Sequence, residues 1–119
     1  MTEALLMESR LQTAVAFALR EITEQGPGLD VIYQGLALPG HQRLCQLWAK
    51  ATGHEAESES VKLAVFSLIG QVLYFRIGAP VIARRMGWPE IGPPQARQIA
   101  QTVQENLLAR LDTFRRASS

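Results

Sequence analysis

Cysteine is all but absent: Cys45 stands alone among 119 residues. One thiol closes no internal disulfide, and His41 and His54 share no metal-ligand spacing with it. Charge is also scarce. Charged residues make up 19% of the chain, below the usual ~25%, and the net charge is only +1. Such a chain has no global electrostatic reason to bind nucleic acid or an acidic membrane. It contains no Gly-rich phosphate loop, no nucleophile elbow and no cluster of metal ligands, so no catalysis, cofactor or metal is expected. Met1-Thr2-Glu3-Ala4 lacks the basic region of a signal peptide. The longest apolar stretch, Leu63 to Phe75, is interrupted by Ser67, Gly70, Gln71 and Tyr74. It is also shorter than the ~20 residues of a membrane span. With 47% hydrophobic residues the chain is no disordered polyelectrolyte. The expectation is one soluble, cytoplasmic domain.

What is present is helical periodicity punctuated by glycine and proline; strand alternation, hairpin dipeptides and repeats are missing. A first helix is predicted over Glu3–Glu24. Its stripe is Ala4, Met7, Leu11, Ala14, Val15, Ala18, Leu19 and Ile22, and Gly26 and Pro27 end it, the glycine as a left-handed cap. A short helix follows over Leu29–Gly35. Pro39 and Gly40 then open a third, His41–Thr52, with Leu44, Leu47, Trp48 and Ala51 inward and Gly53 just past its end. Ser58 is placed to cap a fourth helix, Glu59–Ile77, and Glu55, Glu57 and Glu59 read as its solvated, dipole-complementing start. That helix is apolar nearly all round, and so needs cover on every side, from the chain's own core and from a partner. A helical turn with Pro80 near its start ends at Gly87. The last helix begins at Pro94 and runs to about Arg116 on a stripe of Ala96, Ile99, Ala100, Val103, Leu107, Leu111 and Phe114. Arg110, Arg115 and Arg116 complement its dipole. The fold class is therefore all-α, with about five or six helices.

Few residues offer chemistry. Cys45 reads as a small core or boundary residue, and His41 and His54 as surface residues. Arg76, Arg84 and Arg85 read as a solvated basic patch. Gln71 is the informative polar group. In the middle of an apolar helix its amide needs partners, either another helix or copy, or a ligand in a cavity. Tyr33, Trp48, Tyr74 and Phe75, with Phe66, are aromatics able to line such a cavity for a small hydrophobic effector.

The run Phe66-Ser67-Leu68-Ile69-Gly70-Gln71-Val72-Leu73-Tyr74-Phe75-Arg76, followed by Val81-Ile82-Ala83-Arg84-Arg85-Met86-Gly87-Trp88, resembles the C-terminal domain of TetR-family transcriptional regulators of the CerR/YbiH type. Leu29-Asp30-Val31-Ile32-Tyr33, Pro39 and Arg43-Leu44 resemble the segment before it. The resemblance covers roughly Phe17 to Leu108 and implies a single effector-binding and dimerisation domain over 1–119. It implies ligand contacts at Tyr33, Trp48, Gln71, Tyr74 and Phe75. It further implies that the last two long helices pair with their copies in a four-helix bundle. The seam of that homodimer is expected at Val65, Leu68, Val72, Val103, Leu107, Leu111 and Phe114. The helix-turn-helix segment of such regulators has no counterpart here, so DNA binding is assigned to no residue.

Overall fold

A computed structural model of the chain describes residues 2–118. Among them there is no strand. The helices are α1 (Glu3–Glu24), α2 (Gly28–Ile32), α3 (Leu38–Thr52), α4 (Glu59–Ile77), α5 (Ala79–Met86) and α6 (Pro93–Ser118), with a π-helical turn at Tyr33–Ala37 between α2 and α3. The all-α expectation is met. The chain divides into two units, Met1–Gly40 and His41–Ser119, each described here by itself.

In the first unit, the Thr2 hydroxyl caps α1 by accepting from the Leu5 amide. The stripe predicted for α1 is only partly used: Val15, Ala18 and Leu19 are half-buried, Met7 and Leu11 are exposed, and no residue of the helix is fully buried. The left-handed cap falls on Gln25 (φ 49°) and not on Gly26. Gly26 takes the next position, where its amide reaches back to the Glu21 carbonyl. An L-residue pays for that conformation, glycine does not. Gln25→Gly is therefore expected to stabilise this helix end by about 1 kcal/mol, seen as a higher midpoint in thermal unfolding followed by circular dichroism. A lower midpoint would contradict it.

Pro39 does not open a new helix after a break, as the sequence suggested, but is the second residue of α3. Proline lacks an N–H and its ring crowds the carbonyl four residues earlier. The π turn answers this by widening the ladder: the Leu38 amide reaches five residues back, to the Tyr33 carbonyl.

The second unit holds the core. Cys45 and Trp48 of α3, Val61, Ala64 and Val65 of α4, and Phe114 of α6 are buried together, with Ala56, Ile69, Leu107 and Leu111 packed against them. The start of α4 thus meets the end of α6, and the two run antiparallel, joined midway by a Gln71–Asn106 hydrogen bond. Polar bonds pin the same corner. The His54 Nε2–H donates to the Phe114 carbonyl at 2.8 Å, and Arg115 Nε donates to the Ala51 carbonyl at 3.0 Å, capping the end of α3. Arg115 therefore serves the C-terminus of α3 as well as the end of its own helix. Ser58 caps α4 through the Val61 amide, and Gly53 (φ 80°) and Gly87 (φ 74°) end α3 and α5 as the sequence indicated.

α4 is 19 residues long and, by length and composition alone, apolar enough to cross a membrane, unlike the shorter run Leu63–Phe75 singled out in the sequence. Only part of it is covered within the chain: Val61, Ala64 and Val65 are in the core and Gln71 is bonded to α6.

Candidate functional site

Three concave features lie along the antiparallel α4–α6 pair, one of which, of about 420 Å³, is shared with Ile82 and Met86 of α5. The first is a cleft of about 230 Å³ toward the core end. It is lined by Trp48 from α3, by Ala64, Ser67, Leu68 and Gln71 from α4, and by Asn106, Leu107 and Arg110 from α6. Residues 64, 67, 68 and 71 follow helical spacing, which brings them to one side of α4, and 106, 107 and 110 do the same on α6. The Gln71 Oε1 accepts from Asn106 Nδ2 at 2.7 Å. The Arg110 guanidinium lies 5.1 Å from the centre of the Phe114 ring, whose edge-on partner is Trp48 at 5.3 Å. The indole Nε1–H of Trp48 is buried and has no hydrogen-bond partner among the described residues.

The second feature is an apolar groove of about 580 Å³ at the other end of the pair. Val72 and Phe75 of α4 form one wall, and Ala96, Ile99, Ala100, Val103 and Leu107 of α6 the other; Ile91 extends it and only Arg76 and Gln104 are polar.

The five side chains expected at a ligand are therefore divided. Trp48 and Gln71 share the cleft, whereas Phe75 lines the apolar groove. Tyr74 is 55% exposed and borders neither. Tyr33 belongs to the first unit, in a depression with Gly26, Leu29 and Asp30. Gln71 is bonded across helices, as one of its two alternatives required, and it also lines the cleft. The sequence marks Ser67 only as a break in the apolar run and Arg110 only as a dipole partner, and it does not single out Asn106. Nothing in the α6 pattern alone says which of its polar residues lies opposite Gln71.

The expected dimer seam divides as well. Val65, 1% exposed, and Phe114, 6% exposed, lie in the chain's own core, and Leu111 packs against it. Val65 and Phe114, enclosed by their own chain, have little surface to give a partner, whereas Leu111 is half-buried. Leu68 lines the polar cleft. Val72 and Val103 line the groove, and Leu107 touches core, cleft and groove alike.

Both histidines are structural and not surface groups. His41 is buried and stacks on Phe66 at 3.8 Å, and its Nε2–H donates to the Lys62 carbonyl at 3.2 Å, tying α3 to α4. His54 is half-buried against Phe114. One turn from His41, the sulfur of Cys45 sits 3.7 Å from the imidazole Nδ1. Burial, and secondarily the Glu57 carboxylate, pushes the Cys45 thiol above its ordinary range against a smaller pull from Lys62. Folding therefore favours the neutral thiol. Its contribution to stability is complete below the unfolded thiol's pKa of ~8.5 and is lost as pH rises beyond it. Cys45 in the native chain is expected to react with a maleimide at pH ~8 at least ~100-fold more slowly than in the urea-unfolded chain. Equal rates would place the thiol at the surface.

Comparison with known proteins agrees with this architecture. The family model described as "HTH-type transcriptional dual regulator CecR, C-terminal domain" matches residues 1–113. The HTH-type transcriptional dual regulator CecR of Shigella flexneri is 31% identical over 87 residues. That match covers 73% of this chain and 39% of the relative, so the chain corresponds to well under half of that protein.

Proposed function

The chain belongs to the family of the C-terminal domain of the HTH-type transcriptional dual regulator CecR, and from that premise we propose that it is the effector-sensing and dimerisation domain of a TetR-type transcriptional regulator. In this reading the domain catalyses nothing and works in the cytoplasm. It meets DNA only through a helix-turn-helix domain outside the residues described here. A small effector held between helices shifts the arrangement of two subunits, and the DNA-binding heads respond to the shift.

The observation that carries the reading is the unequal cover of α4. Only Val61, Ala64 and Val65 are buried, while Leu63, Phe66, Val72, Leu73, Tyr74 and Ile77 are exposed. Leu63, Phe66, Leu73, Tyr74 and Ile77 share one side of α4 by helical spacing, whereas Val72 lies on the side toward α6; exposed apolar surface of this extent marks interaction surfaces. The groove of α4 with α6 is nearly free of charge, which suits the centre of an obligate interface. A second copy presenting the same two helices would complete a four-helix bundle about a two-fold axis. Such an interface typically buries on the order of 2,000 Å². Light scattering of the purified chain at micromolar concentration tests this: the expected mass is twice 13.2 kDa, and a monomer would refute the pairing.

The Gln71–Asn106 bond favours a second reading, a helical homodimeric interaction module with no small ligand. There the amide pair only satisfies polar groups between packed helices. The readings separate on whether anything binds in the cleft beside that pair.

A further inference from the structure

The cleft between α3, α4 and α6 has an uneven chemistry. Its apolar lining is Ala64, Leu68, Leu107 and the Trp48 ring, and its polar groups are Ser67, Gln71, Asn106 and Arg110. No carboxylate is among them. Gln71 Oε1 and one N–H of Asn106 are already spent on each other. That leaves the Gln71 NH₂ group, the second Asn106 N–H, the Ser67 hydroxyl and the fork of Arg110 as donors against the Asn106 Oδ1 and the Ser67 oxygen as acceptors, an excess of donors.

Arg110 is also uncommitted. Asp112, two residues along α6, pairs with Arg116 at 3.3 Å, and Glu105 accepts from Gln101. Among the described residues no carboxylate pairs with Arg110, whose contact is the Phe114 face. Trp48, which lines the same cleft, carries the unpartnered buried indole N–H. A guanidinium beside several N–H and O–H donors recognises a planar oxyanion, because its fork matches the two oxygens of a carboxylate. The apolar lining selects what that carboxylate is attached to. A cavity of ~150 Å³ accepts benzene, so about 230 Å³ suits a single ring bearing one small substituent.

The geometry points to a small aromatic monocarboxylate as the effector class of this cleft, its carboxylate held by Arg110 with Gln71 and its ring against Trp48, Leu68 and Leu107. This deepens the sensing reading and rests on it.

Benzoate is the probe, with benzamide as its neutral counterpart of nearly equal shape. Trp88→Phe in the full chain leaves Trp48 as the single tryptophan, so its emission reports on the cleft. Benzoate is expected to change that emission saturably and to bind at least about tenfold more tightly than benzamide, as loss of a charge-assisted bond implies. Arg110→Gln, at an exposed position, should weaken benzoate about tenfold and leave benzamide unchanged. Gln71→Glu keeps an acceptor for Asn106 while adding a negative charge. It should also weaken benzoate selectively, and circular dichroism checks that both variants remain folded. Benzamide binding as tightly as benzoate, or benzoate binding indifferent to both substitutions, would overturn the carboxylate assignment and leave sensing in the cleft intact. If neither compound perturbs Trp48 or gives heat in a calorimetric titration, the carboxylate assignment falls. Sensing itself fails only if a wider panel of neutral ring compounds is equally silent.

Discussion

If the chain forms the dimer proposed above, Val72→Asp is expected to convert it into a folded monomer. Val72 is 52% exposed and lines the apolar groove between α4 and α6, so in the single chain the new carboxylate stays in water and costs little. In the bundle proposed above, the two-fold axis brings a second carboxylate into the same seam. Burying an unpaired charge there costs several kcal/mol per subunit, enough to raise the dissociation constant by about a thousandfold or more. The check is paired: light scattering should fall from twice the chain mass to the chain mass, while the helical circular dichroism signal is retained. A stable dimer of the variant would remove the groove from the interface. Leu107→Asp is a poorer test, because Leu107 also packs against the chain's own core and its loss would unfold as well as dissociate.

Val65→Asp should behave in the opposite way, by abolishing the fold of the second unit. Val65 is 1% exposed and packed with Cys45, Trp48, Val61, Ala64 and Phe114. Apart from the Cys45 thiol and the Trp48 indole its cluster is apolar, so a carboxylate there must either ionise in an apolar site or take up a proton, at a cost of several kcal/mol. Domains of this size have only about 5–15 kcal/mol in hand, and this core is small. The measurement is urea unfolding followed by circular dichroism. The variant is expected to lose its cooperative transition at neutral pH, whereas Val65→Ala keeps one at a lower midpoint. A Val65→Asp chain that remains cooperatively folded but monomeric would return Val65 to the dimer seam.

The contrast between these two valines also marks where reading the sequence stops. They lie seven residues apart on one helix, two full turns, and so belong to a single stripe. Nothing local distinguishes them. What separates them is the packing of α4 with its neighbours: α3 and the end of α6 close over the first, whereas the second lies in an open groove lined by Ala96 to Leu107 of α6. Periodicity groups the two valines; their different burial comes from placement. Placement also decides the histidines. Their lack of a nearby carboxylate or metal ligand was legible, but the carbonyls of Lys62 and Phe114 that receive them lie 21 and 60 residues away.

The sequence by itself determined the helices: apolar residues at helical spacing, Ser58 before α4, Gly53 and Gly87 after α3 and α5, and proline in the first turns of α5 and α6. These are local effects, settled by torsional preference and by which backbone groups a neighbour can satisfy. It also determined that α4 carries more apolar surface than a small domain can enclose. Only the tertiary structure decided how that surface is divided. Antiparallel packing of α4 against α6 sends Val61, Ala64 and Val65 to the core, sets Gln71 against Asn106 beside Arg110, and leaves Val72 and Phe75 in an open groove. The physical reason is that side-chain periodicity fixes which residues share a face, whereas burial depends on what crosses that face, and at what height along the helix.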